Sequence, residues 1–322
     1  MRMVFMGTPE FAAASLVALA EYAAAGGSEI VGVYTREDKP AGRGHKLTPP
    51  PVKVLAQELG IPVYQPRTLR DDAVISELRA LEPELIVVVA YGRILPREVL
   101  DMPRFGCINV HGSLLPEYRG AAPMQRAMIE GRDHTGITTM YMDEGIDTGD
   151  MLLRRRVDIL PEDDFGALHD RMAAAGAELL RETLAALEAG TLTRTPQPEA
   201  GASYAAKLEK EDCIVDFTRP ARELADLVRG LSPQPLARAY MPGGKLLKLA
   251  AAHACESCDN DDNSEGAPGE VIALSDRGEG EMLVRCGRGV LAVTRVVPEG
   301  KGKMTAAEFI RGRRISIGDR LK

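Results

Sequence analysis

Apolar positions along the first third of the chain follow two periods in turn. The unbroken runs "MVFMG", "EIVGVYT", "IPVYQ", "ELIVVVA" and "CINVH" are too short for helices and predict buried strands. Between them "PEFAAASLVALAEYAAA", "VKVLAQELG" and "DDAVISELRAL" repeat apolar residues at helical spacing, the last behind an acidic first turn. Strands that are apolar on both faces and alternate with helices predict an α/β unit, a doubly wound, mostly parallel sheet of Rossmann-like type. Such a sheet takes its ligands outside the carboxyl ends of its strands.

Further on, "MLLRRRVDI" reads as an edge strand, because Arg154, Arg155 and Arg156 put charge on both of its faces. The alanine-rich "FGALHDRMAAAGAELLRETLAALEAG" predicts a long helix. The texture then changes. "TPQPEAGASYAAK" has the Pro, Gly and Ser content of a linker. Beyond it "ARAYM", "KLLKLAAA", "GEVIAL" and "EMLVRCGRGVLAVTRVV" give short strands around Gly-rich turns, as in a small β-barrel of the OB-like type. The expected organisation is a first domain over 1–193, a linker over 194–206 and a β-barrel domain over 207–322. One stretch, "REDKPAGRGHKLTPPP", shows neither period and predicts an unusually long loop after the second strand.

Composition narrows the function classes. With 45% hydrophobic and 27% charged residues among 322, the chain is ordinary globular material, and 4% aromatic content without Trp predicts an aliphatic core. No apolar run approaches the roughly 18 residues that cross a bilayer, and the amino terminus lacks the pattern of a signal peptide. Five scattered cysteines do not form a disulfide framework. A cytoplasmic protein with no membrane role is expected. Net charge of −7 argues against wholesale coating of nucleic acid. Locally, Glu270 to Lys322 carries eleven Lys or Arg against seven Asp or Glu, a surplus of four positive charges. That surplus reads as a solvated face or, more sharply, as a nucleic-acid surface.

The candidate chemistry lies where the "CINVH" strand runs out. Residues two apart share a strand face, so Asn109 and His111 project together, with Ser113 next in line. An amide can donate to an oxygen that becomes negative in a tetrahedral intermediate, and an imidazole can carry a proton near neutral pH. Such a histidine needs a carboxylate, and "YMDEGIDTGDM" offers Asp143, Glu144, Asp147 and Asp150. Asp147 lies between Gly145 and Gly149, which would let another group approach it closely. The bland alternative is a polar loop that satisfies its own backbone. Ser113 lacks the G-x-S-x-G elbow of a hydrolase nucleophile.

Three further patterns are weaker. Cys255 and Cys258, near His253, make one C-x-x-C with no second pair to close a zinc site. Asp259, Asp261, Asn263 and Glu270 mimic a calcium loop, but Ser264 stands where its glycine belongs. "MGTPEF" lacks a dinucleotide fingerprint, and no Walker G-K-[ST] occurs. No metal and no bound nucleotide are expected. His134 reads as a turn residue and a weak rival for the proton-transfer role, and His169 as a surface or half-buried helix residue.

The run Asn109–Val110–His111, "SLLP", "YRGAAP" and "GIDTGDM" resembles the folate-dependent formyltransferases, and the likeness extends over nearly the whole chain through "GTPEFA", "DKPAGRGHKLTPPPVK", "AYGRILP" and "YAAKLEKED". Within that family it is similar to the members that act on methionyl-tRNA. The resemblance implies transfer of formyl from 10-formyltetrahydrofolate to the methionine α-amine of initiator methionyl-tRNA; a single copy of the chain, working without a metal, is expected. It implies Asn109, His111 and Asp147 as the catalytic trio, and Ser113, Leu114, Leu115 and Pro116 as the folate contact. Arg43, Lys46 and Lys207 are expected to contact the tRNA, the first two because glycines flank Arg43 in a cationic loop near the site. The chain departs from the family at Phe217 and Gln234, where Trp is usual. A glycinamide ribonucleotide or sugar-nucleotide formyltransferase would share the trio but leave the second domain without a purpose. An RNA-binding protein without catalysis would leave the trio unexplained.

Overall fold

The computed structural model describes residues 1–41, 46–255, 266–312 and 314–322. It divides into two compact units, one of Met1–Pro123, His134–Asp158 and His169–Ala205, the other of Met124–Asp133, Ile159–Leu168 and Ala206–Lys322. The stretch expected to be a free linker therefore belongs, up to Ala205, to the first unit. Two short segments that interrupt the first unit in sequence group with the second.

The first unit opens with β1 (Arg2–Gly7), α1 (Glu10–Gly26) and β2 (Glu29–Tyr34). A hairpin follows, β3 (Lys39–Ala41) and β4 (Lys46–Thr48), then α2 (Pro51–Glu58), β5 (Val63–Tyr64), α3 (Asp72–Ala80) and β6 (Leu85–Val89). After α4 (Arg97–Leu100) come β7 (Cys107–His111), β8 (Arg119–Gly120) and α5 (Pro123–Ile129). β9 (His134–Tyr141), β10 (Met151–Asp158), α6 (Phe165–Glu188) and β11 (Tyr204–Ala205) complete the series. Seven strands form one sheet in the order β10-β9-β7-β6-β1-β2-β5. The pairs from β5 to β7 are parallel, whereas β9 runs antiparallel to both β7 and β10.

The physical reasons are local. Met3 to Met6 and Leu85 to Val87 are fully buried, which is what an unbroken apolar run in a two-sided sheet demands. α1 stops at Gly27, whose left-handed φ of 69° caps it without a Cβ clash. α3 starts at Asp71, whose side chain accepts from the Ala73 N–H.

Two sequence expectations change. The apolar pattern of β9 is diluted, because threonines share its interior with Ile137 and Met140: Thr135, Thr138 and Thr139 are buried, and the Thr138 hydroxyl donates to Ser113 O at 2.7 Å. Bonded hydroxyls let a polar-looking strand be buried, and His134 opens that strand opposite Asp158 instead of turning a corner. The loop over 36–51 is also not patternless, since Lys39↔Thr48 and Pro40↔Leu47 pair antiparallel. Strands of three residues are too short for a period to register. Arg43 and His45 lie outside the described residues, and Lys46 is described only by its backbone.

The second unit adds α7 (Ala221–Gly230), β12 (Ala237–Tyr240), β13 (Leu246–Ala254), β14 (Val271–Ser275), β15 (Glu281–Arg285), β16 (Val290–Pro298), β17 (Met304–Thr305) and α8 (Ala306–Arg311). The strands make an antiparallel sheet in the order β12-β13-β16-β15-β14, with β17 on β16. Its two open edges meet the last residues of the chain. Tyr240 N–H donates to Lys322 O at 2.6 Å on one side, and Leu321 N–H to Gly269 O and Val271 N–H to Asp319 O, both at 2.8 Å, on the other. The tail thus supplies the closure an OB-like barrel needs and covers both edges. Phe217 is buried in this core with Leu224, Leu247 and Phe309, so the smaller ring fills the position; Gln234 is exposed. Cys258 and the mimic of a calcium loop from 259 to 263 lie outside the described residues. Among the described residues no helix is long and apolar enough to cross a membrane.

Leu321 is 1% exposed at the seam of this sheet. Leu321→Ala is expected to lower stability by about 2–4 kcal/mol, read as a shift in the urea midpoint at unchanged slope. An unchanged midpoint would mean the tail does not hold the barrel.

Candidate active site

β7 lies between β6 and β9, with Asn109 opposite Val88 on one side and Met140 on the other. All of Cys107 to His111 is buried, so the polar residues at this strand end must find partners within the protein. His111 Nε2 lies 3.0 Å from Tyr118 O. A carbonyl only accepts, so Nε2 carries the hydrogen, and Nδ1 is left as the nitrogen free to exchange a proton. That nitrogen faces Asp147, 3.6 Å from Oδ2. Asn109 Nδ2 reaches Asp147 Oδ1 at 3.5 Å, and the Gly120 N–H donates to Oδ2 at 2.8 Å. The carboxylate is therefore shared between the amide and the imidazole and fixed by a backbone N–H. Its side chain is 18% exposed against 5% for His111, so the open side of the trio is at the aspartate.

The turn that carries Asp147 is shaped by its glycines. A Cβ on Gly149 would come within 1.9 Å of Tyr141 O, and one on Gly145 within 1.9 Å of Thr148 Oγ1. Asp147 itself adopts a left-handed φ of 53°, and Tyr118, whose carbonyl meets His111, one of 57°. Such backbone costs roughly 1–2 kcal/mol per residue and persists only where neighbours enforce it. Thr148 Oγ1 donates to Asp143 at 2.7 Å, so that carboxylate serves the turn. Asp150 meets Arg194 at 3.0 Å. Of the four candidates in the acidic run, the structure brings Asp147 to the histidine.

The segment after His111 divides by burial. Ser113 is fully buried and donates to Glu117 O at 2.6 Å, and Leu115 is fully buried with Met140 and Met151. Leu114 and Pro116 are half-buried and are the pair that retains accessible surface. Lys207 is exposed, its Nζ 3.9 Å from Glu209 Oε1. Cys107 precedes the trio on the same strand, but burial pushes its thiol up to about 12, so it stays protonated and is no nucleophile. Among the described residues no three His, Cys, Asp or Glu side chains converge as a metal site would require.

Sequence reasoning missed the backbone groups at Tyr118 and Gly120, and it missed Gln197. Gln197 Nε2 donates to both Asp147 O and Gly149 O at 2.8 Å. Backbone donors leave no residue-type signal, and Gln197 sits in a stretch whose composition reads as linker.

Comparison with known proteins places this geometry in context. Residues 1–184 match the family model described as formyl transferase, and residues 207–314 match that of the formyl transferase C-terminal domain. The chain is 49% identical over 321 residues to the methionyl-tRNA formyltransferase of Symbiobacterium thermophilum, covering 99% of this chain and 95% of that one. It is 45% identical to that of Geobacter metallireducens, covering 99% and 98%. Among solved structures, HypX from Aquifex aeolicus in complex with tetrahydrofolic acid is similar in fold, with a TM-score of 0.62 at 20% identity. That likeness covers 96% of this chain and 47% of HypX.

If the Gly149 turn sets the position of Asp147, Gly149→Ala should lower turnover in a formyl-transfer assay by about 10²-fold, because a displacement near 1 Å suffices for that. Gly26→Ala, in open space on α1, should leave turnover unchanged. Equal activity of the two variants would remove the turn from the mechanism.

Proposed function

The chain belongs to the formyl transferase family, and from that premise we propose that it moves the formyl group of 10-formyltetrahydrofolate to the methionine α-amine of initiator methionyl-tRNA. The observation that carries the reading is the Asp147 carboxylate held between Asn109 and His111 at the carboxyl end of β7. The amine nitrogen attacks the formyl carbon, and the carbonyl oxygen becomes negative as the new C–N bond forms. The Asn109 amide, on a buried side chain, donates to that oxygen. The attacking nitrogen must lose a proton, and the folate nitrogen must gain one as its bond to the formyl carbon breaks. His111 Nδ1, backed by Asp147, carries that proton from one to the other, so no proton is gained or lost overall. The formyl group arrives activated on its carrier, and the reaction is written without a metal.

The folate is placed along Leu114 and Pro116, with Ser113 and Leu115 holding that wall from behind. Two large apolar side chains in loops of the same unit are left exposed. Ile146, next to Asp147, is 58% exposed, and Ile94, in the segment after β6, is 73% exposed. A pteridine ring would cover such surface.

The tRNA is assigned to the second unit and to the β3–β4 hairpin, with Arg43, Lys46 and Lys207 as its contacts. The root of that hairpin is firmly tied. Lys53 Nζ meets Asp38 at 2.8 Å, Gln65 Nε2 meets the same carboxylate at 2.9 Å, and Arg93 meets Glu37 at 2.7 Å. The Gln65 and Lys53 contacts hold the Asp38 carboxyl below its usual range, so this anchor is present at neutral pH and is lost only as pH falls through that lowered value. A tied root lowers the ordering that binding to phosphates would cost. One copy of the chain in the cytoplasm, where charged initiator tRNA is found, suffices for this reading.

Incubation with labelled formylfolate and charged initiator tRNA tests the assignment. His111→Ala and Asp147→Asn should each cut turnover by about 10²–10⁴-fold while the melting temperature holds. Near-parental turnover in His111→Ala would end the mechanism. Arg43→Ala should lower kcat/KM for the tRNA at low salt and reduce the slope of its logarithm against log salt by about one, leaving the folate KM unchanged. Parallel salt lines for variant and parent would mean that Arg43 does not touch the phosphates.

A further inference from the structure

From Thr193 to Gly201 every residue is exposed except Gln197, which is half-buried. Both polar atoms of its side chain are bonded. Nε2 donates to Asp147 O and Gly149 O, each at 2.8 Å, and Oε1 accepts from Arg119 Nε at 2.9 Å. The amide orientation is not ambiguous, since two carbonyls can only accept and a guanidinium can only donate. Arg119 is itself largely buried, with 12% side-chain exposure, and the next residue is Gly120, whose N–H fixes the Asp147 carboxylate at 2.8 Å. Gln197 thus joins the two segments that meet at Asp147, the turn that carries it and the strand that holds its oxygen.

The same stretch supports the other strained residue. Ser203 Oγ accepts from Tyr118 N–H at 2.8 Å, and Ser203 O from Arg119 N–H at 2.9 Å, just before β11 pairs in parallel with β8. Tyr118 O in turn receives His111 Nε2. A left-handed backbone at Asp147 and Tyr118 has no local reason to persist, and both are held from this one segment.

We propose that Gln197 is a positioning residue for formyl transfer, acting through Asp147: it clamps the 147–149 turn to Arg119 so that the carboxylate stays in register with His111 and Asn109. The proposal rests on the reading of Asp147 and His111 as the groups that serve the chemistry. A role confined to stability would lower the melting temperature or affect binding of either substrate. Positioning instead lowers the rate of the bound complex and disappears once Asp147 no longer functions.

The test uses the full chain with Gln197→Ala, Gln197→Glu and, as a control in the same exposed stretch, Thr193→Ala. Both Gln197 variants should lose about 10–100-fold in kcat with each KM within about twofold, whereas Thr193→Ala keeps the parental kcat. Gln197→Glu has the same shape but sets an acceptor against two carbonyl oxygens, so it should be no better than alanine. On an Asp147→Asn background, Gln197→Ala should cost less than about twofold more, because groups that act as a unit are not additive. The ring ¹⁵N shifts of His111, read by NMR at equilibrium, should move in Gln197→Ala and not in Thr193→Ala. Parental kcat in Gln197→Ala, a loss that multiplies fully onto Asp147→Asn, or unmoved His111 shifts would each overturn the proposal. Should Asp147→Asn itself turn over at the parental rate, the catalytic reading of Asp147 is what fails.

Discussion

The site depends on one carboxylate being held where two side chains and a backbone N–H can share it. Asp147 Oδ2 faces both the Gly120 N–H and His111 Nδ1, and Oδ1 faces Asn109. A carboxylate with a fixed donor on one oxygen cannot turn away from the imidazole. The imidazole cannot turn either, because its other nitrogen is bonded to the Tyr118 carbonyl. Orientation is therefore settled before any substrate arrives, which is the condition under which hydrogen bonds lower a barrier instead of being spent on reorganisation.

That arrangement makes demands on the rest of the first unit. At the site Tyr118 and Asp147 both sit in left-handed backbone, and the 145–149 turn packs so closely that Cβ atoms are excluded at both of its glycines. The scaffold meets these demands with a sheet that is rigid below the site and with short pairings above it. β6 and β7 are buried along their length, and β8 with β11 ties the His111 loop to a segment more than eighty residues later in sequence. Buried threonines in β9 do similar work. Thr138 both donates to Ser113 O and accepts from the Leu115 N–H, fixing the start of the apolar wall from beneath. Sites carried by strand ends and braced by side-chain hydrogen bonds stay within the fraction of an ångström that catalysis requires.

The α/β sheet, the long helix and the antiparallel second unit were legible because hydrophobic period reports burial directly. Asn109 and His111 were legible for a related reason: two polar side chains on one face at the end of an apolar strand contradict the pattern around them. β9 was hidden by threonines whose hydroxyls are satisfied internally, and β3 and β4 by their shortness. Ser113 and Leu115 belong to a motif that reads as a ligand contact, yet their side chains are turned inward to a carbonyl and to two methionines. A motif names the residues of a wall without saying which of them face the ligand.

Sequence by itself determined which elements form, which strand end carries the polar residues and which family the motifs resemble. Each of these depends on residues near one another in the chain or on a period that burial imposes. Tertiary structure alone decided that Asp147, among four acidic neighbours, is the partner of His111, and that Gln197 from an apparent linker holds it there. It also decided that the last residues of the chain close the second unit. These are contacts between segments far apart in sequence, several made through backbone N–H and C=O groups that every residue possesses. Composition and spacing carry no record of them, because nothing in a residue's identity says which distant carbonyl it will meet.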